Sequence, residues 1–279
     1  MQMERLLFDQ RLTLARNGIA ARSLEGVVTA ERYVDTVVRR TRVSSTALRR
    51  APSPGAEQLD QLIFGELFEV LEEADGWSLG QAQRDRYVGY VDSTALAGTS
   101  EAPTHTVRAL RTYGFTEPSI KSAPTGLYSM NALLTAEGQQ GRFVKTSGGW
   151  FVAEHLAPIG DVERDYVGVA ERFLGTPYLW GGRESLGLDC SGLVQQAFYA
   201  CGLSCPRDSD QQALLGEPVE TLQRGDLVFW RGHVAVMTSS SDILHANGFH
   251  MSVATEPLAT ATARISASGG GEPTAFRRP

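Results

Sequence analysis

Long apolar runs are missing from this chain. No stretch approaches the roughly 18–20 residues that a membrane-spanning helix needs. The first residues, Met1-Gln2-Met3-Glu4-Arg5-Leu6-Leu7-Phe8-Asp9, are interrupted by Glu4 and Asp9. No apolar core of about 7–15 residues follows, so no secretory leader is expected and the expected location is cytoplasmic. No lipidation motif is visible. Cysteine is scarce, with only Cys190, Cys201 and Cys205. An odd number argues against a secreted disulfide framework, and free thiols suit a reducing compartment. Cys201 and Cys205 have a spacing that could suit a metal, but no second cysteine pair and no closely spaced histidine pair completes a site. They read as a small buried residue and a loop residue, and neither metal nor cofactor is expected. A basic stripe is also lacking. Lys and Arg number 26 against 32 Asp and Glu, for a net charge of −6. That balance argues against nucleic acid and against an anionic membrane surface as partners. Oligomeric state is not readable from the sequence.

What is present is enough for real cores. Of the 279 residues, 42% are apolar and 21% charged, which excludes a disordered chain. The length allows one large domain or two to three small ones. The 29 glycines and 12 prolines favour short strands and turns over long helices. Residues 1–40 read as an N-terminal extension that packs on something larger, with Tyr33 to Val38 suited to a strand. Residues 41–100 read as all-β. Short runs at Ala47–Arg49, Leu59–Phe64, Leu67–Leu71, Trp77–Gly80 and Tyr87–Val91 are separated by turn signals such as Pro52-Ser53-Pro54-Gly55 and Asp75-Gly76. The order Gly65-Glu66, apolar strand, Gly76-Trp77, Tyr87 to Val91 resembles a bacterial SH3-like barrel.

Residues 101–158 repeat the theme through Val107–Leu110, Leu127-Tyr128, Gly141–Val144 and Gly149–Val152. Both segments pass a Gly-Trp pair and end in an apolar strand followed by leucine (Leu96, Leu156). This is an internal repeat of about 70 residues, and a second SH3-like barrel is expected. Thr99–Thr104 reads as the linker, and Trp77 and Trp150 as barrel-core residues. Residues 159–279 change character. Val162 to Leu174 has helical spacing, with Asp161 as N-cap and Gly175 as stop. A second helix is expected from near Asp189 through Tyr199, stopped by Gly202. Strands follow at Asp226–Trp230, His233–Thr238, Asp242–Ala246, Met251–Ala254 and Thr274–Arg278. The fold class is therefore multidomain: two small all-β barrels followed by an α+β domain.

The chemistry concentrates in that last domain. Cys190 falls at the start of a predicted helix, where free amides and the helix dipole favour a thiolate. Gly181 and Gly182 let backbone approach closely just before it. His233 opens one apolar strand and His245 lies on the next, twelve residues later. Adjacent antiparallel strands bring such residues side by side. Cys190 then supplies a nucleophile, His233 a base, and His245 the group that orients His233. His250 replaces His245 only if the hairpin register differs. His105 and His155 have no assigned role.

Six stretches in order carry a resemblance. They are Gly175–Gly182, Asp189–Gln195, Pro206–Ser209, Gly225–Trp230, Gly232–Val236 and Leu244–Ala246. The segment from about 160 to 279 resembles the NlpC family of papain-like cell-wall cysteine peptidases. With two SH3-like barrels in front, the whole chain resembles the subgroup that processes released murein peptides. That resemblance implies cleavage between γ-D-glutamate and the following diamino acid, releasing L-Ala-γ-D-Glu. It implies that Tyr178 and the Cys190 amide stabilise the oxyanion. It implies that Asp189, Ser191, Asp208 and Ser209 line the substrate cleft, with a plain helix N-cap as the alternative for Asp189. It also implies that Glu66 and Tyr87, with Asp189, bind the free amine of an N-terminal L-alanine. Tyr90 competes with Tyr87 for that role. The rivals are an amidase or acyltransferase on the same fold, and a catalytically silent module that holds murein peptides.

Overall fold

The computed structural model describes residues 8–99 and 101–279. The first seven residues of the expected N-terminal extension, and Ser100 of the expected linker, lie outside the described residues. The chain divides into two compact units, Met1–Ser100 and Glu101–Pro279.

The first unit is built on a seven-stranded antiparallel sheet. Its strands are β1 (Val37–Thr41), β2 (Ser45–Arg49), β3 (Gln58–Ile63), β4 (Leu67–Ala74), β5 (Trp77–Ala82), β6 (Val88–Asp92) and β7 (Leu96–Gly98). The order across the sheet is β7-β1-β4-β5-β6-β2-β3. Alternation closes the core. Phe68 and Val70 point inward from β4 and join Leu48, Leu62, Ala82, Tyr87 and Val91. The sequence boundary at residue 41 needs correction. Val37 to Arg40 pair with Leu67 to Val70, so the barrel begins inside the expected extension. The run Tyr33 to Val38 does not form one strand, because Arg32–Val34 pairs instead with Ile19–Ala21. The remaining extension packs Leu14 and Ala21 against Leu71, Leu79 and Val88.

In the second unit, residues 101–158 form a small sheet and a five-stranded antiparallel sheet. The expected strand at Val107–Leu110 is shorter and earlier, His105–Val107. Strands at Arg111–Phe115 and Ala136–Gln140 carry no run legible in the sequence. This segment grips the rest of the unit. Met130 enters the core formed by Leu193, Ala197, Leu244 and Ala246. Asn131 Nδ2 donates to the Gln196 side-chain oxygen at 2.8 Å and to its carbonyl at 2.9 Å.

The first helix of the unit, α1, is Tyr166–Glu171 rather than Val162–Leu174. Asp165, not Asp161, caps it through Val167 N–H, while the Glu163 N–H is spent on the Ala200 carbonyl. α2 is Cys190–Ala200 and is buried on nearly every side. A short helix α3 (Ser209–Gln212) follows. The sheet strands are β8 (Leu227–Trp230), β9 (His233–Met237), β10 (Asp242–Asn247), β11 (Ser252–Pro257) and, after helix α4 (Leu258–Ala267), β12 (Ala275–Arg278). Its central order is β12-β8-β9-β10-β11. α2 covers one face, with Val194 and Phe198 against Phe229, Val234 and Val236. α4 covers the other, with Ala261 against Val228, Ala235, Met237 and Ile243. The sequence pattern gives no sign of α4, whose apolar face rests on Leu258, Ala261 and Ile265 alone.

Candidate active site

Three adjacent strands set the geometry. The turn Arg231-Gly232, with Gly232 at φ 73°, places His233 first on β9 opposite Trp230. β9 pairs with β10 through Val236 with Leu244 and Met237 with Ile243. Continued, that register sets His245 opposite Ala235, one diagonal step from His233 on the same face. His233 Nε2 and His245 Nδ1 lie 2.8 Å apart. β10 pairs with β11 through His245 with Ala254, so Glu256 is the next diagonal neighbour. His245 Nε2 donates to Glu256 Oε1 at 2.8 Å. Arg264 of α4 donates to the same oxygen. His245 is 1% exposed, and its ring has a polar partner on both nitrogens.

Cys190 opens α2 and is 7% exposed. It packs with Val234, the neighbour of His233. The close approach rests on glycine. A Cβ at Gly192 would stand 2.3 Å from the Gly182 carbonyl oxygen, and one at Gly182 would stand 2.6 Å from the Gly187 oxygen. A side chain at Gly192 would push the 181–182 turn away from the first turn of α2, and one at Gly182 would collide with the Leu179 and Gly187 backbone. The electrostatics differ from the expectation of a ready thiolate. Burial pushes the thiol up to about 12, and Asp189 adds to the rise. The amides of Val234 and Ser191, together with Arg207, pull the other way and lose. Burial likewise lowers His233 to about 4 and His245 to about 2. Burial thus favours a neutral thiol and a neutral imidazole at rest.

Asp189 is the hub on the other side of the cysteine. Its carboxylate caps α2 by accepting from Gly192 N–H at 2.8 Å, and it accepts from Gly181 N–H at 2.9 Å. Arg207, 1% exposed, holds it bidentately at 3.0 and 2.6 Å. Ser191 Oγ donates to Asp189 at 3.2 Å and accepts from Arg207 at 2.7 Å. The charge that Asp189 was expected to offer a substrate amine is thus already compensated within its own domain. Asp208 caps α3 with a capping box to Gln211, and Ser209 is buried at its first turn. Tyr178 bridges to Leu188, and its N–H donates to the Met251 carbonyl at 2.9 Å. Burial, with Cys190 and Asp189 near, holds its phenol above the ordinary range, so it keeps its proton.

Glu66 and Tyr87 belong to the first unit. Glu66 is buried, accepting from Arg84 at 2.8 Å and from Ile63 N–H at 3.0 Å. Tyr87 is packed in the barrel core, and the Tyr90 hydroxyl accepts from Asn17 at 3.0 Å. His250 does not take the place of His245. Its ring contacts Asn247 Oδ1 at 3.0 Å. The nitrogens of His245 and His250 and the Glu256 carboxylate lie within 4.8 Å of one another, a donor set suited to a metal ion. Arg264 pairs with that carboxylate.

Arg207, Glu256 and Arg264 escaped sequence reasoning. Arg207 lies inside the quoted stretch Pro206–Ser209, but nothing local marks it as buried. Glu256 falls beyond the expected strand end at Ala254, although alternation from Ala254 points to it.

Comparison with known proteins agrees with the geometry. Residues 175–265 match the NlpC/P60 family, and residues 48–96 match the bacterial dipeptidyl-peptidase SH3 domain. Dipeptidyl-peptidase 6 of Lysinibacillus sphaericus is 27% identical over 228 residues, 70% of this chain and 82% of that protein. The gamma-D-glutamyl-L-lysine dipeptidyl-peptidase of Bacillus cereus is 32% identical over 138 residues, 46% of this chain and 41% of that protein. Its namesake from Bacillus subtilis is 35% identical over 115 residues and 38% of each chain. The match thus spans less than half the length of these last two relatives. The crystal structure of an NlpC/P60 family protein from Bacillus cereus superposes with a TM-score of 0.73 at 21% identity. It covers 86% of this chain and 99% of that one, a likeness of fold.

Proposed function

We propose that this chain, whose residues 175–265 match the NlpC/P60 family, is a cysteine peptidase that hydrolyses the γ-D-glutamyl–diamino acid bond of free murein peptides. The products are L-Ala-γ-D-Glu and the remaining diamino acid peptide. The observation that carries this is the 2.8 Å contact between His233 Nε2 and His245 Nδ1, on a strand whose Val234 packs with the cysteine that begins α2.

Cys190 attacks the γ-glutamyl carbonyl as His233 takes the thiol proton at Nδ1, the ring nitrogen not engaged with His245. The carbonyl oxygen becomes an oxyanion. It is met by the Cys190 amide, which has no partner within α2, and by the Tyr178 hydroxyl. Collapse breaks the C–N bond, and His233 returns the proton to the leaving amine. Water, deprotonated by His233, then splits the thioester. His245 keeps His233 in place throughout. Residues 101–158 form a second SH3-like barrel used as a brace, through Met130 and Asn131. The reaction belongs to cytoplasmic recycling of peptides already cut from the wall.

Two synthetic peptides test the substrate. L-Ala-γ-D-Glu-meso-diaminopimelate is expected to be cleaved, with L-Ala-γ-D-Glu detected by mass spectrometry. Its N-acetylated form is expected to react at least about 100-fold more slowly, because a peptidase for released peptides requires the free N-terminal amine. Equal rates on both would remove the amine requirement. Cleavage of neither would move the assignment to an amidase, an acyltransferase or a silent binding module.

The neutral resting pair sets the pH profile. His233 works as a base only when unprotonated, so kcat/KM falls as pH drops through about 4. The Cys190 thiol does not ionise until about 12, so no alkaline loss is expected near pH 8–9. A preformed thiolate–imidazolium pair would lose activity there, when the imidazolium deprotonates. Measuring kcat/KM from pH 3.5 to 9.5 separates the two, and an alkaline limb near 8.5 rejects the neutral pair.

A further inference from the structure

The outer end of the histidine chain has a polarity. Glu256 is a carboxylate and can only accept hydrogen bonds. It faces His245 Nε2 at 2.8 Å from a side chain 9% exposed. Arg264 can only donate, and it donates to the same Glu256 oxygen while stacking on the Phe249 ring at 4.3 Å. It therefore compensates the buried charge without replacing the acceptor that His245 sees. The titratable and charged groups facing His245 are His233, His250, Glu256 and Arg264.

We infer that Glu256, supported by Arg264, is a positioning residue that sets the tautomer of both histidines and so chooses which nitrogen of His233 acts as the base. The logic runs inward. Glu256 requires the His245 proton on Nε2, which leaves a lone pair on His245 Nδ1. That lone pair faces His233 Nε2 at 2.8 Å, so His233 must carry its single proton on Nε2. His233 Nδ1 is left as the lone pair that takes the thiol proton. Reversing the polarity at position 256 moves each proton to the other nitrogen of its own ring. No proton is gained or lost, but His233 Nδ1 then carries a hydrogen and cannot act as a base. This inference rests on the proposed role of His233, and its test includes readouts that need no substrate.

The decisive variant exchanges the pair, Glu256→Arg with Arg264→Glu. It keeps one cation and one carboxylate at the two positions but presents a donor to His245 Nε2. Nitrogen-15 NMR of the histidine rings is expected to show the proton on Nδ1 of His245 and of His233. Carboxymethylation of Cys190 at pH 7 is expected to slow by at least about 100-fold, and kcat to fall about 10³–10⁴-fold at similar KM, as for other wrong-tautomer variants. Glu256→Gln is the conservative control, because its amide oxygen can still accept from both His245 and Arg264. It is expected to keep the native tautomers and to stay within about tenfold of native kcat. A pair that served only as a salt bridge would be rescued by the exchange. Native tautomers and native Cys190 alkylation in the exchanged variant overturn the inference. Should that variant fail to fold, Glu256→Met decides: a mixture of His245 tautomers supports the inference and an unchanged Nε2–H overturns it. If no murein peptide is cleaved by the native protein, the NMR and alkylation results still decide this point separately.

Discussion

Cys190→Ala is expected to abolish turnover, by about 10⁵–10⁶-fold in kcat, while the protein stays folded and still binds substrate. The size of the effect follows from the absence of a substitute. Cys201 and Cys205 are the other thiols; Cys201 caps the C-terminal end of α2, opposite the end that Cys190 begins, and Cys205 lies beyond it in sequence. Cys205 is buried in the core with Phe198, its carbonyl accepting from the Tyr199 hydroxyl at 3.0 Å. The fold tolerates the change because alanine suits the first turn of a helix, and the Asp189 cap does not involve the sulfur. Losing one buried sulfur costs on the order of 1 kcal/mol, small against domain stability. Circular dichroism and calorimetric titration with the murein peptide check the fold and the binding. Rate assays check the loss. Activity above about one percent of native would remove Cys190 from the chemistry, since a true nucleophile has no such residue of function.

What the sequence made legible was the part with a short period or a short loop. His233 and His245 could be paired because a twelve-residue interval between two apolar strands leaves room for little but a hairpin. Cys190 could be placed because Asp189 precedes a run of helical spacing and does cap α2. Glu256 was lost with two residues of strand, and with it the polarity of the histidine chain. α4 was lost because alanine and threonine fill most of Leu258–Ala267, leaving too few apolar positions to show a helical face. α1 begins four residues late because the backbone ahead of it bonds to the end of α2, a tertiary demand that no local pattern encodes. The burial of the thiol was not legible for a similar reason. The helix terminus is visible in the sequence, whereas the burial that outweighs it depends on strands 37 or more residues away.

Arg207→Ala is expected to be the most destabilising single change around the site, and for the same non-local reason. The guanidinium is 1% exposed and makes two short bonds to Asp189 and one to Ser191. Removing it leaves Asp189 buried with its charge uncompensated, which typically costs about 3–5 kcal/mol. The lower end applies, because Gly181, Gly192 and Ser191 still donate to the carboxylate. At about 2–4 °C per kcal/mol for a domain of this size, the transition of the catalytic unit should drop by roughly 6–12 °C. Chemistry suffers too. Asp189 raises the Cys190 thiol and Arg207 opposes it, so the variant holds the thiol still further from ionisation and slows attack. The double variant Asp189→Asn with Arg207→Met removes both charges and should recover most of the stability, since an uncharged buried pair needs no compensation. Calorimetric unfolding of the two single variants and the double gives the coupling directly. A drop of less than about 2 °C in Arg207→Ala would mean that the cap donors alone carry the Asp189 charge, and that Arg207 is dispensable to the platform on which Cys190 stands.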